Sequence, residues 1–426
     1  AAPHGALADA IKPIRRTLDA EPFVPPDVVA LARWTAEYYA AGVGETITAV
    51  LPPKARGERA DAHKKIRVAA ITAAGLEAIA GAENAGPGKR PAPSGSRALT
   101  ARQLDALSRL AGAPGGIAAA QLAGWGMRVG TLARLVTLGL VSVRLERVDR
   151  DPFEAGAAGL TAADSGRELT EEQALALSRL SAFVTAGGFR VALLHGVTGS
   201  GKTEIYVRLA RLVRAAGRTV LMLVPEIALT PVVAAFFREA FADRVAIQHS
   251  GLSDGERHDQ WQRIRRGDID VVVGTRSAVF APLGRIGLIV VDEEHDGSYK
   301  QEESPRYNGR DVAIIRAQRA GALVVLGSAT PSMETYHHAL AGKYERVVLE
   351  RRVLNRPLAA VTVVDMREEY AAEGPDVVFS RALRDAMGAR LDRGEQALVL
   401  LNRRGFATSV FCRQCGGTVD CPNCSV

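Results

Sequence analysis

Six short runs of consecutive apolar residues recur through the middle of the chain, and each is separated from the next by a stretch that favours helix. The runs are Val191–Leu194, Val220–Val224, Val245–Ile247, Ile269–Val273, Leu288–Val291 and Leu323–Leu326. Continuous rather than alternating apolar strands are typical of a parallel sheet covered by helices on both faces. The pattern therefore predicts an α/β domain over about residues 165–350.

The start of the chain follows a different pattern. Apolar residues at helical spacing predict a helix over Asp27–Ala41. The run Thr46–Leu51 is predicted to form a strand, because it is rich in β-branched residues and stops at two prolines. We interpret residues 1–53 as part of a domain.

A segment without a clear apolar period follows. The basic run Lys54–Arg67 is most simply a solvated surface, and Gly81–Arg97 has the Pro, Gly and Ser content of a flexible linker. We therefore expect residues 54–97 to separate two domains.

Three short predicted helices and an alternating strand come next. They lie at Thr100–Leu110, Ile117–Leu122, Val129–Leu138 and Leu140–Val148. This order is typical of a winged helix, which we predict over residues 98–152. The third helix of such domains often contacts nucleic acid, but other winged helices dock onto proteins, and the pattern does not choose between the two.

Composition adds a class of partner. The chain of 426 residues carries a net charge of +7, and an excess of Arg and Lys favours a polyanion because binding releases counterions from phosphates. No apolar run reaches the roughly 18 residues of a membrane-spanning helix. The chain begins Ala-Ala-Pro, without Met or a signal segment. We expect a cytoplasmic fragment with no membrane partner.

The segment Gly196–Thr203 has the sequence GVTGSGKT, the pattern of a phosphate-binding loop. It follows the first apolar run and precedes a helix-prone stretch, which is the context the pattern requires. Glycines let backbone N–H groups face the phosphates, the amine of Lys202 reaches the β- and γ-phosphates, and the hydroxyl of Thr203 ligates Mg²⁺. The expected nucleotide-binding residues are Gly196, Val197, Thr198, Gly199, Ser200, Gly201, Lys202 and Thr203.

Acidic residues directly follow a later apolar run, in Ile289–His295. There Asp292 is expected to hold Mg²⁺ and Glu293 to orient and deprotonate the attacking water, with His295 as a further catalytic candidate. No Asn-Lys-x-Asp tetrapeptide is present to recognise guanine, so an adenine nucleotide is favoured. Gln173 lies upstream of the loop, where motor ATPases often place a glutamine that recognises adenine.

Three further blocks lie at predicted strand ends: Pro225–Pro231, Gly274–Ser277 and Gly327–Pro331. Open α/β sheets place their ligand contacts at the carboxyl ends of strands. In this order the blocks resemble motifs Ia, Ib and III of superfamily 2 helicases. The resemblance implies a RecA-like helicase lobe in which Thr275 and Arg276 contact one nucleic-acid strand and the third block links hydrolysis to movement.

The segment Asp296–Asp311 interleaves aromatic and basic residues. Such residues stack on bases and neutralise phosphates, so the candidate nucleic-acid contacts are Tyr299, Lys300, Arg306, Tyr307 and Arg310. The segment resembles the aromatic-rich coupling loop of the PriA family of bacterial replication-restart helicases. Pro305 stands where the resemblance leads us to expect another aromatic residue, which implies less stacking.

All four cysteines lie in the last fifteen residues, at Cys412, Cys415, Cys421 and Cys424. The two CxxC pairs are only five residues apart, whereas the halves of one Cys₄ zinc site are usually about 15–20 residues apart. Each pair is therefore expected to bind zinc with a further pair beyond residue 426, although an iron–sulfur cluster or free thiols are alternatives. The PriA resemblance implies eight cysteines and two structural zincs.

The same resemblance extends to Asp365–Arg367 and Leu400–Phe406 and implies a domain plan. The plan is the C-terminal part of a 3′-end DNA-binding domain at 1–53, the winged helix, helicase lobe 1 at 165–350, a connection at 351–379, the start of lobe 2 at 380–411, and half of a zinc-binding insertion at 412–426. In the start of lobe 2 we predict a helix at Arg381–Leu391 and a strand at Ala397–Leu401.

The function that the resemblance implies is that of an ATP-dependent 3′-to-5′ DNA helicase that uses Mg²⁺ and zinc. Its expected partners are forked and single-stranded DNA, primosome proteins and single-stranded-DNA-binding protein, at the nucleoid. Since the arginine of the later motifs is absent, we expect this chain to bind nucleotide but to hydrolyse it poorly. Alternatives are another superfamily 2 translocase and a non-catalytic scaffold that binds forks.

Overall fold

The computed structural model describes most of the chain up to residue 400, and the chain divides into two compact units, Ala1–Asn355 and Arg356–Val426. The described residues are 22–56, 64–84, 99–127, 129–150, 152, 168–225, 230–353, 359–374 and 377–400. Among them, no helix combines the length and the hydropathy needed to cross a membrane.

The described part of the first unit begins with two helices, α1 (Pro26–Tyr38) and α2 (Val43–Val50). The helix predicted over Asp27–Ala41 is confirmed, but the strand predicted over Thr46–Leu51 is wrong. Its β-branched residues favour a strand locally. However, Thr46 and Val50 lie four residues apart on one buried face, and Val50 belongs to the same apolar cluster as residues of α1. Packing therefore overrides local propensity here.

A three-stranded antiparallel sheet with four helices follows. Its elements are β1 (Lys64–Ile71), α3 (Ala73–Asn84), α4 (Ala101–Ala111), β2 (Ile117–Ala118), α5 (Ala119–Gly124), α6 (Val129–Thr137) and β3 (Val141–Val148). The strand order is β2-β1-β3.

This sheet differs from the sequence-based domain plan, which assigned residues 54–97 to a basic segment and a linker. The central strand β1 pairs with β3 along its whole length, from Lys64 opposite Val148 to Ile71 opposite Val141. Basic and apolar residues alternate only over Lys65–Val68, and the three basic residues at its start made the segment read as a solvated surface. The helices and strand predicted within 98–152 are present, with β2 added before α5.

The rest of the first unit is a seven-stranded parallel sheet with helices. In chain order the elements are α7 (Glu171–Ala186), β4 (Arg190–Gly196), α8 (Lys202–Ala215), β5 (Thr219–Leu223), α9 (Thr230–Phe241), β6 (Val245–Gln248), α10 (Asp254–Arg266), β7 (Val271–Gly274), β8 (Ile286–Asp292), α11 (Gly309–Ala320), β9 (Leu323–Ser328), α12 (Met333–Leu340) and β10 (Glu345–Leu349). The strand order is β10-β4-β9-β8-β5-β7-β6.

Both faces of this sheet are covered, as the continuous apolar runs predicted. Alternate side chains of β5 enter different apolar clusters: Leu221 and Leu223 enter one, and Val220 and Met222 enter the other. Because all neighbouring strands are parallel, their carboxyl ends lie along one edge. The predicted α/β fold is confirmed, and this edge carries the sequence motifs.

In the second unit the described residues contain two helices, α13 (Met366–Glu373) and α14 (Arg381–Leu391). The bounds of α14 are those predicted from the sequence. Residues 397–400 form no strand in the described structure, and residue 401 lies outside it.

Arg316 on α11 fixes the segment between β7 and β8. Its side chain is buried, and its guanidinium donates hydrogen bonds to the carbonyl oxygens of Val279 (2.6 Å), Ala281 (2.6 Å) and Leu283 (3.2 Å). Burial lowers the pKa of Arg316 to about 10. One side chain thus satisfies three carbonyl groups of an irregular segment.

We expect Arg316→Met to lower the free energy of unfolding by about 3 kcal/mol, because buried carbonyl acceptors would lose their donor. The measurement is the thermal or urea midpoint of the whole chain. Arg319→Met is the matched control, since Arg319 lies one turn further along α11 and is exposed. Equal midpoints for the two variants would contradict this structural role.

Candidate active site

The phosphate-binding loop, Gly196–Thr203, and the acidic block, Asp292–His295, meet at the carboxyl edge of the parallel sheet. The loop follows β4, the acidic block ends β8, and β9 lies between these strands. The amine of Lys202 is 3.6 Å from Oε1 of Glu293. The two motifs that the sequence singled out are therefore parts of one site.

The backbone of the loop has the form expected of an anion cradle. Gly199 and Gly201 both have φ of 81°, in the left-handed region that favours glycine. The loop leads into the N-terminus of α8, where unpaired N–H groups and the helix dipole attract anions. Lys202 is 9% exposed, and its amine donates a 2.9 Å hydrogen bond to the carbonyl oxygen of Gly196. The N–H groups and the Lys202 amine can bind phosphate oxygens, and the carboxylates of Asp292 and Glu293 lie beside them. Together these residues fit a magnesium-bound nucleoside triphosphate.

Gln173 lies against the phosphate-binding loop. It is buried, its Oε1 accepts a hydrogen bond from the N–H of Thr170 (3.0 Å), and its Nε2 donates to the carbonyl oxygen of Ser200 (2.8 Å). A Cβ on Gly201 would lie 2.2 Å from that Nε2. Gln173 therefore supports the loop, and its role in adenine recognition stays a prediction.

Asp292 is held through both its side chain and its main chain. Oδ1 accepts a 2.9 Å hydrogen bond from the hydroxyl of Tyr206, and the carbonyl oxygen accepts one of 2.6 Å from the hydroxyl of Tyr299. Burial is the main cause that raises the pKa of Asp292, the Tyr206 hydrogen bond opposes it, and Glu293 adds to the rise. Glu293 has a φ of 44°, a strained conformation for a residue with a side chain.

His295 joins the acidic block to the Gly327–Pro331 block. Its Nδ1 is 2.8 Å from Oγ of Ser328, and its Nε2 is 3.3 Å from Oγ1 of Thr330. Nδ1 of His295 also lies 3.7 Å from Oε2 of Glu293. The predicted catalytic candidate thus forms a bridge between two motifs.

Glu294 is a site residue that the sequence reasoning missed. It is buried and accepts hydrogen bonds from the N–H of Ser332 (2.7 Å), the hydroxyl of Thr335 (2.9 Å) and the guanidinium of Arg310 (2.9 Å). Its carboxylate therefore lies at the N-terminus of α12, where the helix dipole favours a negative charge. The sequence pattern is typical of Ser332 as the N-cap residue of α12, but only the fold shows that Glu294 accepts a hydrogen bond from its N–H.

The aromatic and basic loop gives a correction. Tyr299 is 1% exposed and Tyr307 is 4% exposed, and Tyr307 packs edge-on against Phe280. Neither ring presents a face to a base, so the expected stacking is wrong for this arrangement. Aromatic rings have large apolar surfaces, and the free energy gained by burying them favours the packed positions of Tyr299 and Tyr307.

The basic residues of the loop divide into two groups. Arg310 pairs with the buried carboxylate of Glu294, so much of its charge is already neutralised. Lys300 is exposed, donates to the carbonyl oxygen of Arg306 (2.6 Å) and lies 5.1 Å from the ring centre of Tyr39. Arg306 is exposed. Lys300 and Arg306 therefore remain the loop's candidates for phosphate contact.

A cleft of about 560 Å³ opens beside this loop. Hydroxyl groups of Ser250, Thr275 and Ser277 line it together with Arg257, and α2 contributes Glu45. Arg276 also lines it, but its guanidinium donates to the carbonyl oxygens of Ser298 (2.8 Å) and Lys300 (2.6 Å). The structure thus places Thr275 in an open cleft and gives Arg276 a role in holding the loop.

The expected zinc ligands Cys412, Cys415, Cys421 and Cys424 lie outside the described residues, as does most of the Pro225–Pro231 block after Pro225. Among the described residues, no cluster of three or more His, Cys, Asp or Glu side chains has the arrangement of a metal site. The zinc sites stay a prediction.

Known proteins give an independent comparison. Residues 170–339 match the DEAD/DEAH box helicase family, and residues 2–52 match the 3′ DNA-binding domain family of PriA. The replication restart protein PriA of Bacillus subtilis is 44% identical over 296 residues, which are 70% of this chain and 36% of that protein. The Haemophilus influenzae PriA is 35% identical over 420 residues, 98% of this chain and 54% of that protein.

The chain therefore spans about half or less of the length of these curated relatives. The family expected from the coupling loop and the motifs is confirmed. The two family matches and the relatives, which align with up to 98% of its residues, show that the chain belongs to the PriA family of superfamily 2 helicases.

Proposed function

We propose that this chain carries the ATP-binding lobe of a DNA helicase of replication restart, which moves 3′ to 5′ along single-stranded DNA. The observation that carries the proposal is the meeting of Lys202 with Glu293 at 3.6 Å, beside Asp292. Phosphate-binding and acidic motifs at one sheet edge are the shared requirement of phosphoryl-transfer motors.

The residues of the site divide the work. The N-terminus of α8 and the amine of Lys202 bind the phosphates, while Thr203 and Asp292 would hold Mg²⁺, which neutralises phosphate charge when bound. Glu293 orients a water molecule and accepts its proton. The positive φ of Glu293 sets the direction in which its side chain leaves the main chain.

Movement is proposed to pass through the contacts of the acidic block. His295 touches Ser328 and Thr330, and Glu294 caps α12, so a shift of the block repositions the segment after β9. The same block is bonded to the aromatic loop through Tyr299. This loop and Thr275 border the cleft in which we place the DNA strand.

Forked and single-stranded DNA are the proposed substrates, in agreement with the match of residues 2–52 to a 3′ DNA-binding domain. Primosome proteins and single-stranded-DNA-binding protein are the proposed protein partners, because the relatives are replication restart proteins. The cysteines at 412, 415, 421 and 424 are proposed to bind two structural zincs with further ligands.

Lys202→Ala tests the nucleotide site. We expect it to weaken binding of a fluorescent ATP analogue at least about tenfold, because a charge-assisted contact to phosphate is lost. Lys343→Ala is the control, since Lys343 is exposed and distant in sequence from the motifs. If the unmodified chain bound the analogue no better than Lys202→Ala, the ATP-dependent motor would be refuted.

Arg306→Gln tests the DNA cleft. One lost phosphate contact should weaken binding of oligo-dT roughly threefold and reduce the slope of log affinity against log salt by about 0.7. Arg319→Gln, an exposed arginine on α11, should leave both quantities unchanged. The readout is fluorescence anisotropy at several salt concentrations. Identical salt slopes for the two variants would place the strand elsewhere.

A further inference from the structure

Tyr206 contacts the acidic block although it lies three residues beyond the phosphate-binding pattern. It sits one turn along α8 from Lys202 and is fully buried. Residues four apart share a helix face, so the amine of Lys202 and the phenol of Tyr206 lie on the same side of α8. The phenol donates its hydrogen bond to Oδ1 of Asp292 at 2.9 Å.

The space for this hydroxyl is left by Gly327 on β9. A Cβ on Gly327 would lie 1.8 Å from the hydroxyl oxygen of Tyr206 and 3.3 Å from Oδ1 of Asp292. A separation of 1.8 Å is impossible between nonbonded atoms, so a side chain at 327 would displace the hydroxyl. Gly327 is also the direct partner of Asp292 in the β8–β9 register. The glycine and the hydrogen bond thus belong to one arrangement.

We propose that Tyr206 is a positioning residue whose hydroxyl orients the carboxylate of Asp292 for binding the magnesium that accompanies the nucleotide. The inference rests on the proposed function, because that function makes Asp292 a metal ligand. The terminal torsion of aspartate is soft, so the carboxylate needs a fixed donor to keep one orientation. Hydrogen-bond partners of metal ligands are known to supply this orientation.

The main chain of Asp292 is fixed by a second tyrosine. The hydroxyl of Tyr299 donates to the carbonyl oxygen of Asp292 at 2.6 Å. With the backbone held by one phenol, the second phenol determines where the carboxylate points. Tyr206 therefore acts on the orientation of the ligand, while the ring itself is part of the apolar core.

The test is Tyr206→Phe in the whole chain, which removes the hydroxyl and keeps the buried ring. Affinity for a fluorescent ADP analogue is measured in excess Mg²⁺ and in EDTA, with the melting temperature in both conditions. We expect the gain in affinity that Mg²⁺ gives to fall about tenfold, with the affinity in EDTA changed less than about twofold, because only the metal ligand is disturbed. Tyr344→Phe, half-buried and outside the motifs, should match the unmodified chain.

Two results would overturn the inference. One is an unchanged Mg²⁺ dependence in Tyr206→Phe. The other is an equal loss of affinity in Mg²⁺ and EDTA with a lower melting temperature, which indicates a structural role alone. Failure of the proposed function looks different, because the unmodified chain would then bind no nucleotide in either condition, and this inference would fall with it.

Gly327→Ala supplies a second, coupled test. The added methyl group displaces the hydroxyl, so we expect a similar loss of the Mg²⁺ effect. In the Tyr206→Phe background the 1.8 Å overlap with the hydroxyl is removed and only the 3.0 Å contact with Cζ of the ring remains. The glycine substitution should therefore reduce the Mg²⁺ effect less than it does alone, because coupled residues are non-additive. Fully additive losses would show that the two residues act separately and would contradict the proposal.

Discussion

The site depends on the parallel register of β4, β9 and β8. Neighbouring strands lie about 4.8 Å apart, so β4 and β8, with β9 between them, are separated by about 10 Å. The amine of Lys202, at the start of α8, lies between the two strand ends: it is 2.9 Å from the carbonyl oxygen of Gly196 on β4 and 3.6 Å from Oε1 of Glu293 after β8. The strand between them must leave room, and its next-to-last residue, Gly327, lies beside Asp292. The order of three strands thus sets which residues can meet.

The acidic block, Asp292–His295, connects several elements at this edge, because its four consecutive residues contact α8, α12, the end of β9 and the segment after β9. Asp292 and Glu293 both approach α8, through Tyr206 and Lys202. Glu294 accepts a hydrogen bond at the N-terminus of α12, and His295 contacts Ser328 at the end of β9 and Thr330 beyond it. Buried carboxylates need partners, and these partners come from separate parts of the chain. A displacement of the block would therefore move several elements together, which is what the proposed motor function requires of this site.

The sequence was sufficient for features whose cause is local. The phosphate-binding loop is one continuous segment that needs glycines in the left-handed conformation at fixed positions. The apolar runs predict a parallel sheet because strands buried on both faces consist almost entirely of apolar residues. It was insufficient where packing decides. The strand β1 was hidden by basic residues on one face, and Thr46–Leu51 became helical because α1 offered an apolar partner. The contact between Tyr206 and Asp292, 86 positions apart, has no signal in the sequence.

The aromatic loop shows why residue type alone does not define a nucleic-acid contact. Interleaved tyrosines and basic residues fit stacking on bases, but they equally fit a loop that is anchored by its aromatic side chains. The observed bonds favour anchoring: Tyr299 reaches Asp292, Arg276 holds the carbonyl groups of residues 298 and 300, and Ser298 donates to the carbonyl oxygen of Pro225. The loop is thereby tied to three strand ends while Lys300 and Arg306 stay exposed. Under the proposed function, the buried Tyr299 couples the position of the loop to the main chain of Asp292, and the exposed Lys300 and Arg306 contact the strand.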